Sequence, residues 1–194
     1  MSTSGSFSIP KTVVLVGLMG AGKTCIGKKL AQELDLPFVD ADVEIEKAAG
    51  CSIAEIFEEH GETYFRDGER RVIQRLLAGP VQILSTGGGA FMDVITRETI
   101  KEQGISLWLR ADLDVLVERT ARRNHRPLLQ NGNHREILAR LIDERYPVYA
   151  EAEITTDSAE GSAEITLQRV LAALKDYCSR LAGQEHCSPL AQAD

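Results

Sequence analysis

Gly17-Leu18-Met19-Gly20-Ala21-Gly22-Lys23-Thr24 decides how the rest of this 194-residue chain is read. The run fills every fixed position of the phosphate-binding pattern G-x-x-x-x-G-K-[ST]. Its glycines let the backbone curl until successive N–H groups face one anion, where a Cβ would obstruct them. Lys23 brings a cation to the β and γ phosphates, and the Thr24 hydroxyl can ligate Mg²⁺. Gly20, Ala21, Gly22, Lys23, Thr24 and Cys25 are therefore the expected nucleotide-binding residues of the loop. The flanks suit that role. Thr12-Val13-Val14-Leu15-Val16 reads as a buried parallel strand, and Ile26, Leu30 and Leu34 mark one face of a helix. Such a helix aims its free N–H groups and positive dipole end at the phosphates. The competing reading is a plain Gly-rich turn between strand and helix; motif and context together favour nucleotide binding.

Around the loop the composition is that of one globular domain, 43% hydrophobic and 26% charged. A net charge of −7 argues against a nucleic-acid platform, so any anion site is built locally from placed arginines. Cys25, Cys51, Cys178 and Cys187 form neither a C-x-x-C pair nor a zinc spacing. Reduced thiols in a cytoplasmic protein are the expectation, with Cys25 packing as a small apolar side chain. No segment approaches a membrane span, and the N-terminus lacks a signal-peptide core. Residues 1–10 read as a disordered lead, 11–181 as a single domain and 182–194 as a polar tail. No dimer seam is visible, so a monomer is expected.

Buried-type strands recur at 12–17, 81–85 and 105–109, with shorter ones at 37–40 and 153–156. Helical patterns fill 23–35, 42–49, 52–59, 62–78, 93–103, 112–122, 134–150 and about 160–181. Strands alternating with helices imply a parallel sheet covered on both faces. Ligands of such sheets bind beyond the carboxyl ends of the strands, so those ends hold the informative residues.

After the second strand come Asp40 and Asp42. One carboxylate can sit beside a Mg²⁺ hydration shell while the other accepts a hydrogen bond from an alcohol. A helix N-cap is the plainer role, and it suits Asp42 better than Asp40. After the third strand, Thr86-Gly87-Gly88-Gly89 stands where many phosphate-loop proteins place a metal-binding Asp. Three glycines offer bare N–H groups and close approach to a small molecule, or else a flexible turn. Three arginines complete the set. Arg66 has Glu69 three residues on to hold it. Arg126 lies in a polar stretch at about 122–134 with the make-up of a mobile lid. Arg145 precedes Pro147, which predicts a kink or helix end. Singly, each arginine reads as a solvated surface charge; together they suggest anion recognition.

Taken in order, these motifs resemble the shikimate kinase family from about residue 12 to 156. The matching features are Gly17–Thr24, Asp40/Asp42, Phe65-Arg66 with Glu69, Gly87–Gly89, Arg126-Pro127-Leu128-Leu129, and Arg145 with Pro147 and Tyr149. The resemblance implies ATP-dependent phosphorylation of the 3-hydroxyl of shikimate in aromatic amino-acid biosynthesis. It also implies an α/β phosphate-loop fold like that of nucleoside-monophosphate kinases, with a five-stranded parallel sheet in order 2-3-1-4-5 and a mobile lid. On that basis Arg66 and Arg145 grip the substrate carboxylate and Asp42 binds the reacting hydroxyl. Gly87, Gly88 and Gly89 complete the pocket, and Arg126 swings with the lid toward the phosphates. Arg119 matches a position near adenine, and Thr24 and Asp40 hold Mg²⁺. Thr156-Asp157-Ser158 falls where the family flanks adenine, with a loose match, and the termini have no counterpart.

The nearest rival is another small-metabolite kinase of the same fold, such as a gluconate kinase. A GTPase switch would show Asn-Lys-x-Asp, which the sequence lacks. A nucleoside-monophosphate kinase has no clear need of Arg66 and Arg145.

Overall fold

Five short runs rich in β-branched and aliphatic residues line up as the sheet at the centre of the computed structural model, which describes residues 8–121, 133–158 and 162–185. They are β1 (Thr12–Val16), β2 (Phe38–Asp40), β3 (Ile83–Ser85), β4 (Gly104–Arg110) and β5 (Ile154–Asp157). All pair in parallel, in the order β2-β3-β1-β4-β5. Val14 of β1 aligns with Leu84 on one side and Ser106 on the other. The middle of the sheet is covered on both faces, and so β1 is buried at every position.

The helices are α1 (Lys23–Leu34), α2 (Ala41–Ala49), α3 (Ile53–Leu77), α4 (Val94–Gln103), α5 (Leu113–Ala121), α6 (His134–Tyr149) and α7 (Ala163–Glu185). A 3-10 turn, Ala90–Met92, separates β3 from α4. Helix α1 lies so close to the sheet that a Cβ at Gly27 would come within 2.9 Å of Leu15. The expected helices 52–59 and 62–78 form one element, opened by a Ser52–Glu55 capping box and broken at Gly61. Gly61 has φ 79° and ψ 178°, a conformation that only glycine adopts without strain.

Helix α6 runs through Pro147 to Tyr149, within the expected 134–150. Two boundary expectations change. Helix α7 continues past 181 to Glu185. Ile9, inside the expected lead, packs against the core. Residues 1–7 of the lead, 122–132 of the lid stretch and the last nine residues of the tail lie outside the described residues.

The main core joins the sheet to its helices, and a second cluster of Ile45, Ile56, Phe65 and Val72 ties α2 to α3. No helix of the described residues is long and apolar enough to cross a membrane.

Candidate active site

Because all five strands run the same way, their carboxyl ends open on one edge, and the candidate residues gather there. The loop after β1 holds Gly17, Gly20 and Gly22 at φ 136°, 85° and 95°, all left-handed. Ala21 is buried beneath it. Gly22 caps α1 with no side-chain bond, so no side chain closes the N-terminus of the helix, the end where anions bind. Lys23 folds back over the loop, donating to the Gly17 carbonyl at 2.7 Å and the Leu18 carbonyl at 3.1 Å. Cys25 is exposed rather than packed, because it lies on α1 away from Ile26 and Leu30.

Asp40 and Asp42 divide their work differently from the expectation. Asp40, not Asp42, is the N-cap of α2, its Oδ1 accepting from the Asp42 N–H at 3.1 Å. The other oxygen of Asp40 accepts from the Thr24 hydroxyl at 3.3 Å. Asp42 thus falls in the first turn of α2 with its carboxylate free of the capping role. Burial pushes the Asp42 pKa up and Asp40 adds to this, while Lys23 and Arg66 only partly offset it.

The glycine triplet sits at the centre. A Cβ built at Gly87 would meet Asp42 Oδ1 at 2.9 Å and Glu69 Oε1 at 3.3 Å. At Gly88 it would face Arg145 Nη1 and the Gly17 carbonyl oxygen, each at 3.5 Å. At Gly89 it would lie 2.7 Å from Arg66 Cζ. Each glycine therefore admits one of the three predicted acceptor-binding side chains, and Gly88 also abuts the phosphate loop. Thr86 anchors the start of the turn by donating to the Leu15 carbonyl through its hydroxyl at 3.0 Å.

Arg66 is braced by Glu69 at 2.5 Å and Glu62 at 3.3 Å. Glu69 is only 2% exposed, and burial raises its pKa although Arg66 pulls the other way. Arg145, on α6, donates to the Gly88 carbonyl at 3.0 Å. The loosely matched segment after β5 also reaches the site: Arg119 donates to Ser158 Oγ at 2.8 Å, and both lie within 4 Å of a Cβ built at Gly22. Arg126 falls outside the described residues.

Two groups escaped the sequence reading. Tyr149 donates to the Gly88 carbonyl, and its only trace in sequence was its place after Arg145 and Pro147. Asp93 caps α4 through Thr96 N and takes Arg70 Nη2 at 3.0 Å, joining the turn after the triplet to α3. A Thr three residues after Asp93 is the signal that could have found the cap.

Phosphate loop, sheet order and a glycine turn flanked by Arg66 and Arg145 define the chain as a phosphate-loop small-molecule kinase with the nucleoside-monophosphate-kinase-like fold. The family described as shikimate kinase matches residues 19–175. A shikimate kinase of Paramagnetospirillum magneticum is 56% identical over 169 residues, 87% of each chain. Among solved structures, shikimate kinase from Acinetobacter baumannii in complex with shikimate is 38% identical with TM-score 0.81, covering 86% of this chain and 94% of that one. The chain belongs to the shikimate kinase family. A gluconokinase from Sinorhizobium meliloti, 18% identical with TM-score 0.65 over 92% of this chain and 99% of that one, shares the fold alone.

Proposed function

We propose that this chain transfers the γ-phosphoryl group of ATP to the 3-hydroxyl of shikimate, giving shikimate 3-phosphate and ADP for aromatic amino-acid biosynthesis. The observation that carries the reading is the glycine triplet, with Asp42, Arg145 and Arg66 each facing one glycine and the phosphate loop touching the middle one. A carboxylate-bearing alcohol laid on that turn would be gripped at one end by forked guanidinium groups. Its hydroxyl would then lie between Asp42 and the loop.

In the reaction the acceptor oxygen forms a bond to Pγ while the bond from Pγ to the β,γ-bridging oxygen breaks and ADP leaves. The hydroxyl proton passes to Asp42 late in transfer. Such a loose transition state depends mainly on alignment and charge neutralisation. Lys23 and the loop N–H groups supply fixed positive charge at the donor. Arg119, held by Ser158, flanks the nucleotide, and Arg126 adds charge from the lid.

The site also suits Mg²⁺. The Thr24 hydroxyl donates to the Asp40 carboxylate at 3.3 Å, and the two offer hard oxygen ligands beside the N-terminus of α1. With ATP bound, the ion would draw its remaining ligands from phosphate oxygens and water, and it would neutralise phosphate charge. We further propose a monomeric cytoplasmic enzyme with its catalytic domain over 11–181, as suits three free thiols among the described residues.

A coupled ADP-release assay with shikimate, gluconate and nucleoside monophosphates tests the reading. Turnover with shikimate and background rates with the others are expected. Turnover with gluconate but not shikimate would overturn it.

A further inference from the structure

The side chain of Tyr149 is fully buried in the last turn of α6, yet its hydroxyl ends on the Gly88 carbonyl. The same oxygen accepts from Arg145 Nη1 at 3.0 Å. A peptide oxygen has two lone pairs, so it accommodates both donors. The donors differ in freedom. Arg145 is half-buried at the pocket, on a long side chain that can turn toward a bound anion. Tyr149 cannot follow, because its ring is packed among Trp108, Tyr146 and Phe91 with centroids 5.9, 6.3 and 6.4 Å away. Burial also pushes its phenol up to about 12, so it stays a donor across any working pH.

We infer that Tyr149 is a positioning residue for the acceptor: it keeps the Gly88 carbonyl satisfied while Arg145 leaves that oxygen for the substrate carboxylate. The inference rests on the shikimate reading above, in which Arg145 is one arm of the clamp. Among the described residues, Arg145 and Tyr149 are the two donors to this carbonyl. Without the phenol, each substrate molecule that recruits Arg145 would strand the oxygen, and the acceptor filling the pocket would keep water from replacing the lost donor. An unmet polar group of that kind is far more costly than an average hydrogen bond is stabilising. Tyr149 also fixes the Gly88 peptide against Gly17 of the phosphate loop, where the two halves of the site meet.

Wild-type turnover of shikimate is established first, since its failure overturns the functional reading alone. Tyr149→Phe, which removes one oxygen, is then expected to raise the shikimate KM about tenfold. KM for ATP and kcat should stay within about twofold. In an Arg145→Ala background there is no donor to release, and the same substitution should change the shikimate KM by less than about twofold. An unchanged KM in Tyr149→Phe alone overturns the inference. So does an equal rise in both backgrounds, which marks a merely structural hydroxyl. If Tyr149→Phe does not fold, a fluorotyrosine placed at 149, a stronger donor, should lower the shikimate KM; an unchanged or raised value overturns the inference.

Discussion

A methyl group added at Gly89 would press on the Arg66 guanidinium, whose Cζ lies 2.7 Å from the ideal Cβ position. The guanidinium would have to shift from its place against Glu69, and with it one arm of the proposed clamp. Gly89→Ala is therefore expected to raise the shikimate KM about ten- to a hundredfold, the worth of one charge-assisted contact, with KM for ATP unchanged. Steady-state kinetics with each substrate varied in turn checks this. Asp42 carries a different expectation. Asp42→Asn removes the proposed proton acceptor, and kcat should fall by about two to four decades with ATP binding retained. The same change should stabilise the fold at neutral pH. Burial, aided by Asp40, holds the folded-state pKa above 3.8, so the unfolded chain ionises this group more readily. The folded state is penalised at pH 7, and the penalty fades as pH falls through the raised value and is gone below 3.8. Tm measured across that range should show the variant ahead at pH 7 and level with wild type in acid.

Elements are held in register by polar joints outside the pocket. Asp93 starts α4, closes the turn that follows the glycines and pairs with Arg70 of α3, the helix that also carries Arg66 and Glu69. The Arg70 hydrogen bond, with Thr96 assisting against burial, lowers the Asp93 pKa from 3.8 to about 2. A depressed carboxylate stabilises the fold above its unfolded pKa and loses that contribution as pH falls through its folded one. Asp93→Asn keeps a competent N-cap but lacks the charge. Its Tm should lie below wild type at pH 7, and the gap should close between 3.8 and about 2. A constant gap across that window would assign the effect to packing. Positions of the helices and strands were largely readable from periodicity, since buried faces repeat with the period of the element. Cap identity was less so. Asp40 and Asp42 are both good capping residues in sequence, and which one caps depends on where the sheet releases the chain into α2.

Across the whole molecule, the proposed donor and acceptor halves meet at Gly88 but draw on different residues, so ligand linkage should separate them. ATP at a hundred times its Kd should stabilise the wild-type protein by about 2.7 kcal/mol. Arg145→Ala should retain that rise in Tm and lose most of the rise caused by shikimate. Its shikimate KM should climb by about one to three decades, as for a charge pair broken in a partly buried site. Loss of both thermal shifts would mean that the two halves fold as one cooperative pocket.

Sequence by itself determined the phosphate-loop motif, the alternation of strands and helices, and a set of candidate residues for the chemistry. These follow from local spacing: Gly-x-x-x-x-Gly-Lys-Thr, helical and strand periodicity, and paired residues such as Arg66 and Glu69 within one turn. Tertiary structure decided which of those residues share a pocket. Asp42, Arg66 and Arg145 come from α2, α3 and α6; the β2-β3-β1 adjacency and the packing of α6 on the 3-10 turn bring them to three successive glycines. It also decided the exposure of Cys25, the capping role of Asp40 and the reach of Tyr149 to Gly88. Contacts across 61 residues, such as that of Tyr149 with Gly88, leave no periodic trace in a sequence; they exist because a parallel sheet returns distant loops to one edge.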